Sequence, residues 1–145
     1  MSSTTFSGPV TSLNGFIGPA ATVASTATQT LTAAQSGSVI TLDAAAGFAT
    51  TLPAPAAGLN FVFFVKTAPT SVGYTILTNA GANIMYGTHS VTATGGGTAI
   101  AAADTITVVA NSAVIGDHVS ITSDGTNWYV DAVSTLKASI TSAAT

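Results

Sequence analysis

The sequence predicts an all-β domain, either a sandwich or a barrel. Short segments rich in Val, Ile, Thr and Phe recur along the chain, and Gly, Pro, Asn and Asp separate them as turns require. Residues 101–103 and 136–140 have a helical composition, but both stretches are too short to stand as helices. Several short strands joined by such turns are typical of a β-sandwich or β-barrel.

The predicted strands can be placed in order along the chain. Residues 38–42 alternate between polar and apolar side chains, as a half-buried strand does. Residues 61–65 are continuously apolar, which indicates a strand covered on both faces. Before it, Pro53, Pro55 and Gly58 break any helix that the neighbouring alanines favour. Further short strands are predicted at 74–77, 84–86, 90–94 and 105–108.

The last predicted unit is a β-hairpin. Residues 119–122 and 128–130 are rich in β-branched and aromatic side chains. The turn between them contains an Asp-Gly pair, and both of these residues tolerate a positive φ. Because side chains alternate along a strand, Trp128 and Tyr129 are expected on opposite faces.

The chain is predicted to have three parts. Residues 1–30 form an extended N-terminal arm, residues 31–134 the β domain, and residues 135–145 a C-terminal tail. The arm is rich in Ser, Thr, Ala and Gly but carries large apolar side chains, and exposed apolar patches usually mark interaction surfaces. An ordinary N-terminal strand of the same domain is the alternative. The predicted contact residues of the arm are Phe6, Val10, Leu13, Phe16 and Ile17.

Charged residues make up only 5% of the chain, and none of them is Arg or Glu. A typical soluble domain carries about 25%. Two lysines and a net charge of −3 cannot form the basic patch that nucleic acid or an anionic membrane requires. The chain has no cysteine, no signal-peptide pattern and no apolar run of membrane-helix length. We therefore expect synthesis in a cytoplasm, with neither nucleic acid nor a membrane as a partner.

Few residues are candidates for catalysis or metal binding. His89 has no acidic neighbour in sequence, so a loop or surface histidine is expected. Asp117 precedes a strand, where Asp usually fixes a turn by accepting backbone amides. Asp124, at a turn tip with Asn127, is the one candidate oxygen ligand for a cation, but a plain β-turn is expected there. A metal site made of His89, His118 and an Asp has no support in their spacing. With no nucleophile elbow and no phosphate loop either, the sequence predicts a non-enzymatic protein without a cofactor or metal.

Several segments resemble the head decoration, or cement, proteins of tailed bacteriophages. The resemblance covers most of the chain, although each motif is loose and consists of common turn and strand residues. The segments are Thr5-Phe6-Ser7-Gly8-Pro9-Val10, Asn14-Gly15-Phe16, Leu31-Thr32-Ala33-Ala34-Gln35-Ser36-Gly37, Thr51-Leu52-Pro53, Gly116-Asp117-His118-Val119-Ser120-Ile121 and Ser123-Asp124-Gly125-Thr126-Asn127-Trp128-Tyr129-Val130.

The resemblance implies an antiparallel, jelly-roll-like β-sandwich that forms homotrimers. Such a protein binds the major capsid protein at capsomer junctions, on the outside of the head, and stabilises the head against internal DNA pressure. The family has no catalytic residues, and its extended arm matches residues 6–17, whose hydrophobic side chains then contact the capsid. The expected location is the capsid surface of a virion.

A second function remains open from the sequence. Asp-Gly-Thr-Asn-Trp hairpins similar to the one here also end fibre and tail proteins, so the alternative is a fibre or tail module that recognises a cell-surface glycan. Its sugar contacts would be Trp128 or Tyr129. Because one ring of an alternating pair faces the core, at most one of the two is expected to be free.

Overall fold

The computed structural model describes residues 22–144, and this part of the chain is almost entirely strand and turn. Three short 3-10 turns interrupt the strands, at Ala33–Gln35, Asn79–Gly81 and Lys137–Ser139. The strands are β1 (Thr22–Ser25), β2 (Gln29–Thr30), β3 (Val39–Leu42), β4 (Ala49–Thr51), β5 (Ala57–Val65), β6 (Tyr74–Leu77), β7 (Met85–Val91), β8 (Gly97–Ala103), β9 (Thr105–Val108), β10 (His118–Asp124), β11 (Trp128–Ser134) and β12 (Ile140–Ala143).

The strands form two sheets that enclose one hydrophobic core. The seven-stranded sheet has the order β1-β3-β5-β10-β11-β7-β8, and the five-stranded sheet has the order β12-β9-β6-β4-β2. The all-β sandwich predicted from the sequence is confirmed. The predicted strands at 74–77 and 105–108 coincide with β6 and β9, and the predicted hairpin is the pair β10–β11.

Both sheets are mixed rather than wholly antiparallel, which departs from the antiparallel arrangement expected of the family. Half of the described strand pairings are parallel. Four of the five parallel pairings follow from the path of the chain: the first six strands alternate between the two sheets, so β1, β3 and β5 lie side by side in one sheet and β2, β4 and β6 in the other. A chain that crosses to the opposite sheet and returns re-enters in the same direction, whereas a tight hairpin reverses it.

The core lies between the sheets and contains the large side chains that the sequence clusters. Trp128, Tyr74, Phe61 and Phe63 are fully buried. The rings of Phe61 and Trp128 lie 6.1 Å apart, centroid to centroid, and Phe48 packs edge-on against Tyr74 at 4.9 Å. Fully burying one such side chain contributes roughly 1.5–3 kcal/mol, so each of these rings is a substantial stabilising contact between the sheets.

Strand β5 is covered on one face only within the described structure, which corrects the prediction from its apolar run. Phe61, Phe63 and Val65 point into the core, while Val62 is half-buried and Phe64 is exposed on the opposite face. Phe64 lies against the imidazole of His118, 5.0 Å between ring centroids. An apolar run thus marks a strand whose outer side chains remain available for contact.

The predicted part boundaries need correction at both ends. Residues 1–21 lie outside the described residues, but 22–30, also assigned to the arm, contain β1 and β2 and pair in register with β3 and β4. Residues 140–143 of the predicted tail form β12 and pair with β9. Both segments are short and rich in Thr, Ser and Ala, so they have no clear alternation of apolar and polar side chains. They become strands because they pair with neighbouring strands.

Within residues 22–144 no helix has both the length and the apolar character needed to cross a membrane.

Candidate interaction surface

The outward side of the seven-stranded sheet presents a broad surface, referred to below as the outer face. Strands β5, β10, β11 and β7 contribute its centre, and their registers place outward side chains in three transverse rows. The rows are Phe64–His118–Val133–Ser90, Val62–Ser120–Asp131–Thr88 and Asn60–Thr122–Tyr129–Tyr86. Seven strands at the usual spacing make this sheet about 30 Å wide.

The outer face is nearly free of charge. Asp131 is the one Asp, Glu, Lys or Arg side chain in the three rows, and Asp124 lies just beyond them at the tip of the hairpin. The remaining positions are aliphatic, aromatic, hydroxyl or amide side chains, together with His118. A surface of this composition can be covered by a partner without desolvating many ions.

Exposed apolar side chains continue beyond one end of the outer face, in the loops that follow the strands. Ile115 is 72% exposed and lies, with His118 and Val133, beside an open cleft of about 260 Å³. Asp117 holds this loop: its carboxylate accepts hydrogen bonds from the backbone N–H of Val114 (3.1 Å) and of Thr135 (2.9 Å). The predicted turn-fixing role of Asp117 is confirmed.

His89 is a core residue of β7, not the loop or surface histidine that was expected. It is 3% exposed, and its Nε2 lies 2.6 Å from the Ser134 hydroxyl oxygen. The same hydroxyl also lies within hydrogen-bonding distance of the carbonyl oxygen of Leu136 (2.7 Å). Burial lowers the pKa of His89, and the nearby Asp117 carboxylate opposes this shift.

The structure does not bring the candidate metal ligands together. His89 faces the core, whereas His118 lies on the outer face against Phe64. Across the described part of the chain, no group of three or more His, Asp, Glu or Cys side chains is placed to hold a metal ion.

Asp124 organises the β10–β11 turn. One carboxylate oxygen accepts the backbone N–H of Asn127 and of Thr126, both at 2.7 Å, and the other accepts the Tyr129 hydroxyl at 3.0 Å. These three hydrogen bonds, those of Asn127 and Thr126 first, lower the pKa of Asp124 below its ordinary value. The carboxylate is thus engaged in the turn, as expected.

The structure separates the two predicted sugar-contact residues. Trp128 lies on the core-facing side of β11, where it is fully buried and packs against Phe61 of β5. The prediction of Trp128 as a glycan contact is therefore wrong. Tyr129 points outward and is 50% exposed. The expectation that only one ring of this pair is free is confirmed.

Sequence reasoning missed Tyr86, which lies beside Tyr129 in the third row. Alternation along β7 indicates that Tyr86 is exposed, because it places Tyr86 and Thr88 on the outward side of the strand and Met85 and His89 on the buried side. The parallel pairing of β7 with β11 joins segments some 40 residues apart, and nothing local in the sequence indicates it.

The proposed arm contacts Phe6, Val10, Leu13, Phe16 and Ile17 all lie outside the described residues. Their predicted role stays a prediction. The described chain begins at β1, an edge strand of the seven-stranded sheet.

Fold and surface together define a two-sheet β-sandwich with a charge-poor outer face. Comparisons with protein-family models, with curated proteins and with solved structures yield no match for this chain.

Proposed function

We propose that this chain is a structural virion protein that binds the outside of a bacteriophage capsid at capsomer junctions and stabilises the head against internal DNA pressure. The observation that carries the proposal is the outer face, which combines about 30 Å of sheet width with one carboxylate in its three rows. The resemblance of the turn and strand motifs to cement proteins supports the choice of partner, the major capsid protein.

Low charge suits a protein whose surface is buried against a partner protein. Interface cores are depleted of charged residues, because each buried ion must be desolvated and paired. The described residues contain one salt bridge, Lys66 to Asp43 at 2.7 Å, and it lies in exposed loops rather than on the outer face. Covering the outer face therefore removes apolar and hydroxyl surface from water at little electrostatic cost.

Residues 1–21 supply a second contact in this proposal. Phe6, Val10, Leu13, Phe16 and Ile17 dock on the capsid, and fully extended, 21 residues reach at most about 70 Å. The segment joins the domain at the edge strand β1, from which it can lead away from the sandwich towards a neighbour. Further copies of the chain, arranged as a homotrimer, cover sheet edges that a monomer leaves open.

The test is reconstitution on capsids that lack the protein. We expect a chain without residues 1–17 to lose at least about tenfold in capsid occupancy, since burial of even one of its large apolar side chains contributes about 1.5–3 kcal/mol. Occupancy is measured by quantitative gel analysis of pelleted particles. The matched control lacks residues 1–5, which contain none of the five hydrophobes.

Both truncated proteins are compared with the full chain by thermal unfolding, to show that the sandwich of residues 22–144 is intact. Equal occupancy of all three proteins would show that residues 1–17 do not contribute to capsid binding. Failure of the full chain to bind any capsid of the encoding phage would refute the proposed function itself.

A further inference from the structure

His89 is a buried titratable side chain at the place where edge strands of the two sheets come together. It is 3% exposed on β7, and its ring lines a cavity of about 20 Å³ between the sheets. The other walls of this cavity belong to strands β8 and β12, namely Thr98, Ile100, Ile140, Thr141 and Ser142. We propose that protonation of His89 at mildly acidic pH releases strand β12 from the sandwich while the other strands stay folded.

The surroundings of the His89 ring offer little compensation for a positive charge. Within residues 22–144, Asp117 is the carboxylate whose charge acts on the imidazole. Its two oxygens accept the backbone N–H groups of Val114 and Thr135 instead. The side chains that β8 and β12 place around the cavity are aliphatic or carry hydroxyl groups, and the neighbour of Nε2 is the hydroxyl of Ser134. Burying an ion without a paired counterion is costly, so the docked form of β12 favours the neutral imidazole.

Short contacts connect the imidazole to the segment that leads into β12. His89 Nε2 lies 2.6 Å from Ser134 Oγ, which lies 2.7 Å from the carbonyl oxygen of Leu136. Ser134 ends β11, and residues 135–139 carry the chain to the other sheet, where β12 begins at Ile140. The cation of this connection, Lys137, is exposed. A change at the imidazole therefore reaches the residues that position β12.

Strand β12 can leave the sandwich without displacing another strand. It is four residues long, is the last of the described strands, and pairs on one side only, with β9. Ile140 is its one buried residue. The other wall of the cavity, β8, has seven residues and leads directly into β9. Local openings of such weakly attached segments occur well before global unfolding. None of the residues involved belongs to the three rows of the outer face, so the contacts proposed for that face are unaffected.

The pH range follows from the two environments of His89. In the released form the imidazole is in water and takes up a proton with its ordinary pKa of 6.5, whereas burial lowers its pKa in the docked form and the Asp117 charge opposes this shift only in part. The docked form therefore has its full stability above about pH 7.5 and loses it as the pH falls through 6.5. Because proton linkage changes an equilibrium by at most tenfold per pH unit for one group, opening should increase by up to about tenfold between pH 7.5 and pH 5.5.

Hydrogen exchange measured by mass spectrometry on the purified full chain tests the release of β12. Rates at pH 7.5 and pH 5.5 are divided by the intrinsic exchange rates at the same pH. We expect the protection of peptides that cover β12 to fall roughly five- to tenfold at pH 5.5, and that of the β10–β11 hairpin to stay the same. His89→Gln, which stays polar but cannot titrate in this range, should abolish the fall. The matched control is His118→Gln, which removes the second of the two histidines of the chain and should keep it.

Equal protection of β12 at the two pH values in the wild type overturns the proposal, as does a fall that persists in His89→Gln. Loss of the pH effect in His118→Gln would assign it to the other histidine and would also overturn it. Equal loss of protection in β12 and in the β10–β11 hairpin would show that the whole sandwich opens, against the proposal. The comparison of these two segments uses the wild type alone, so it decides the matter even if His89→Gln does not fold.

Discussion

At the scale of single residues, Gly87 shows how closely the strands of the seven-stranded sheet approach each other. It lies in β7 directly opposite Val130 of β11, next to an irregularity in the pairing of β7 with β8. A Cβ atom at this position would overlap the backbone carbonyl of Val130. The backbone of a strand pair cannot move aside as a flexible side chain does, so only glycine fits.

Gly87→Ala is therefore expected to destabilise the protein by about 3 kcal/mol, since overpacked sites with no room to relax lie at the upper end of the usual range. For a domain of this size that corresponds to a fall of about 10 °C in melting temperature. Thermal unfolding followed by circular dichroism measures it. Ser90→Ala, an exposed position of the same strand, should change stability by less than about 0.5 kcal/mol. An unchanged melting temperature for Gly87→Ala would show that β7 and β11 are not paired in this register.

Single-residue placements were predictable where they depend on local alternation. The opposite faces of Trp128 and Tyr129, and the turn role of Asp117, follow from neighbours in sequence. The burial of His89 does not, because its partner Ser134 lies 45 residues away on β11. The same long-range pairing creates the Tyr86–Tyr129 row, so that part of the surface was beyond reach of the sequence.

At the scale of elements, the β10–β11 hairpin is the unit that the sequence specifies most fully. Its Asp-Gly turn and alternating flanks predict the pairing that is observed. The parallel neighbours β1–β3–β5 were not predictable in the same way, because their direction is set by crossings to the opposite sheet. The alanine-rich stretch 101–103 belongs to strand β8, where the pairing with β7 overrides helix propensity.

The pH dependence of the hairpin follows from Asp124. Its pKa in the folded protein lies below the ordinary value of 3.8, so the ionised carboxylate adds stability that is complete above about pH 4 and is lost as the pH falls through the folded-state pKa. Asp124→Asn keeps an oxygen for the turn amides but cannot titrate. We expect its melting temperature to fall less steeply than that of the wild type between pH 5 and roughly pH 2.

The control for this measurement is Asp131→Asn, which makes the same charge change on β11 and leaves the turn hydrogen bonds in place. It should leave the melting temperature near that of the wild type at pH 7, which shows that loss of one carboxylate charge does not by itself disturb the fold. If Asp124→Asn and the wild type lose stability in parallel, the turn is not stabilised by the ionised carboxylate.

At the scale of the whole molecule, the structure shows where the few charged residues and the uncharged surface lie. The described ionisable side chains are placed mainly in turns, loops and strand ends, such as Asp43 with Lys66 and Asp117 in its loop. The centre of the outer face, four strands and about 15 Å across, is left almost uncharged. Composition alone predicted a surface that neighbours cover, and the sheet order shows which surface is poorest in charge.

The central claim is that this outer face works in contact with a capsid, and cryo-electron microscopy of purified virions of the encoding phage tests it most directly. The account predicts density for the sandwich on the outside of the head at capsomer junctions, with the outer face against the capsid protein or a neighbouring copy. Purified particles that contain none of this chain, or density in which the outer face looks into open solvent at every copy, would contradict it.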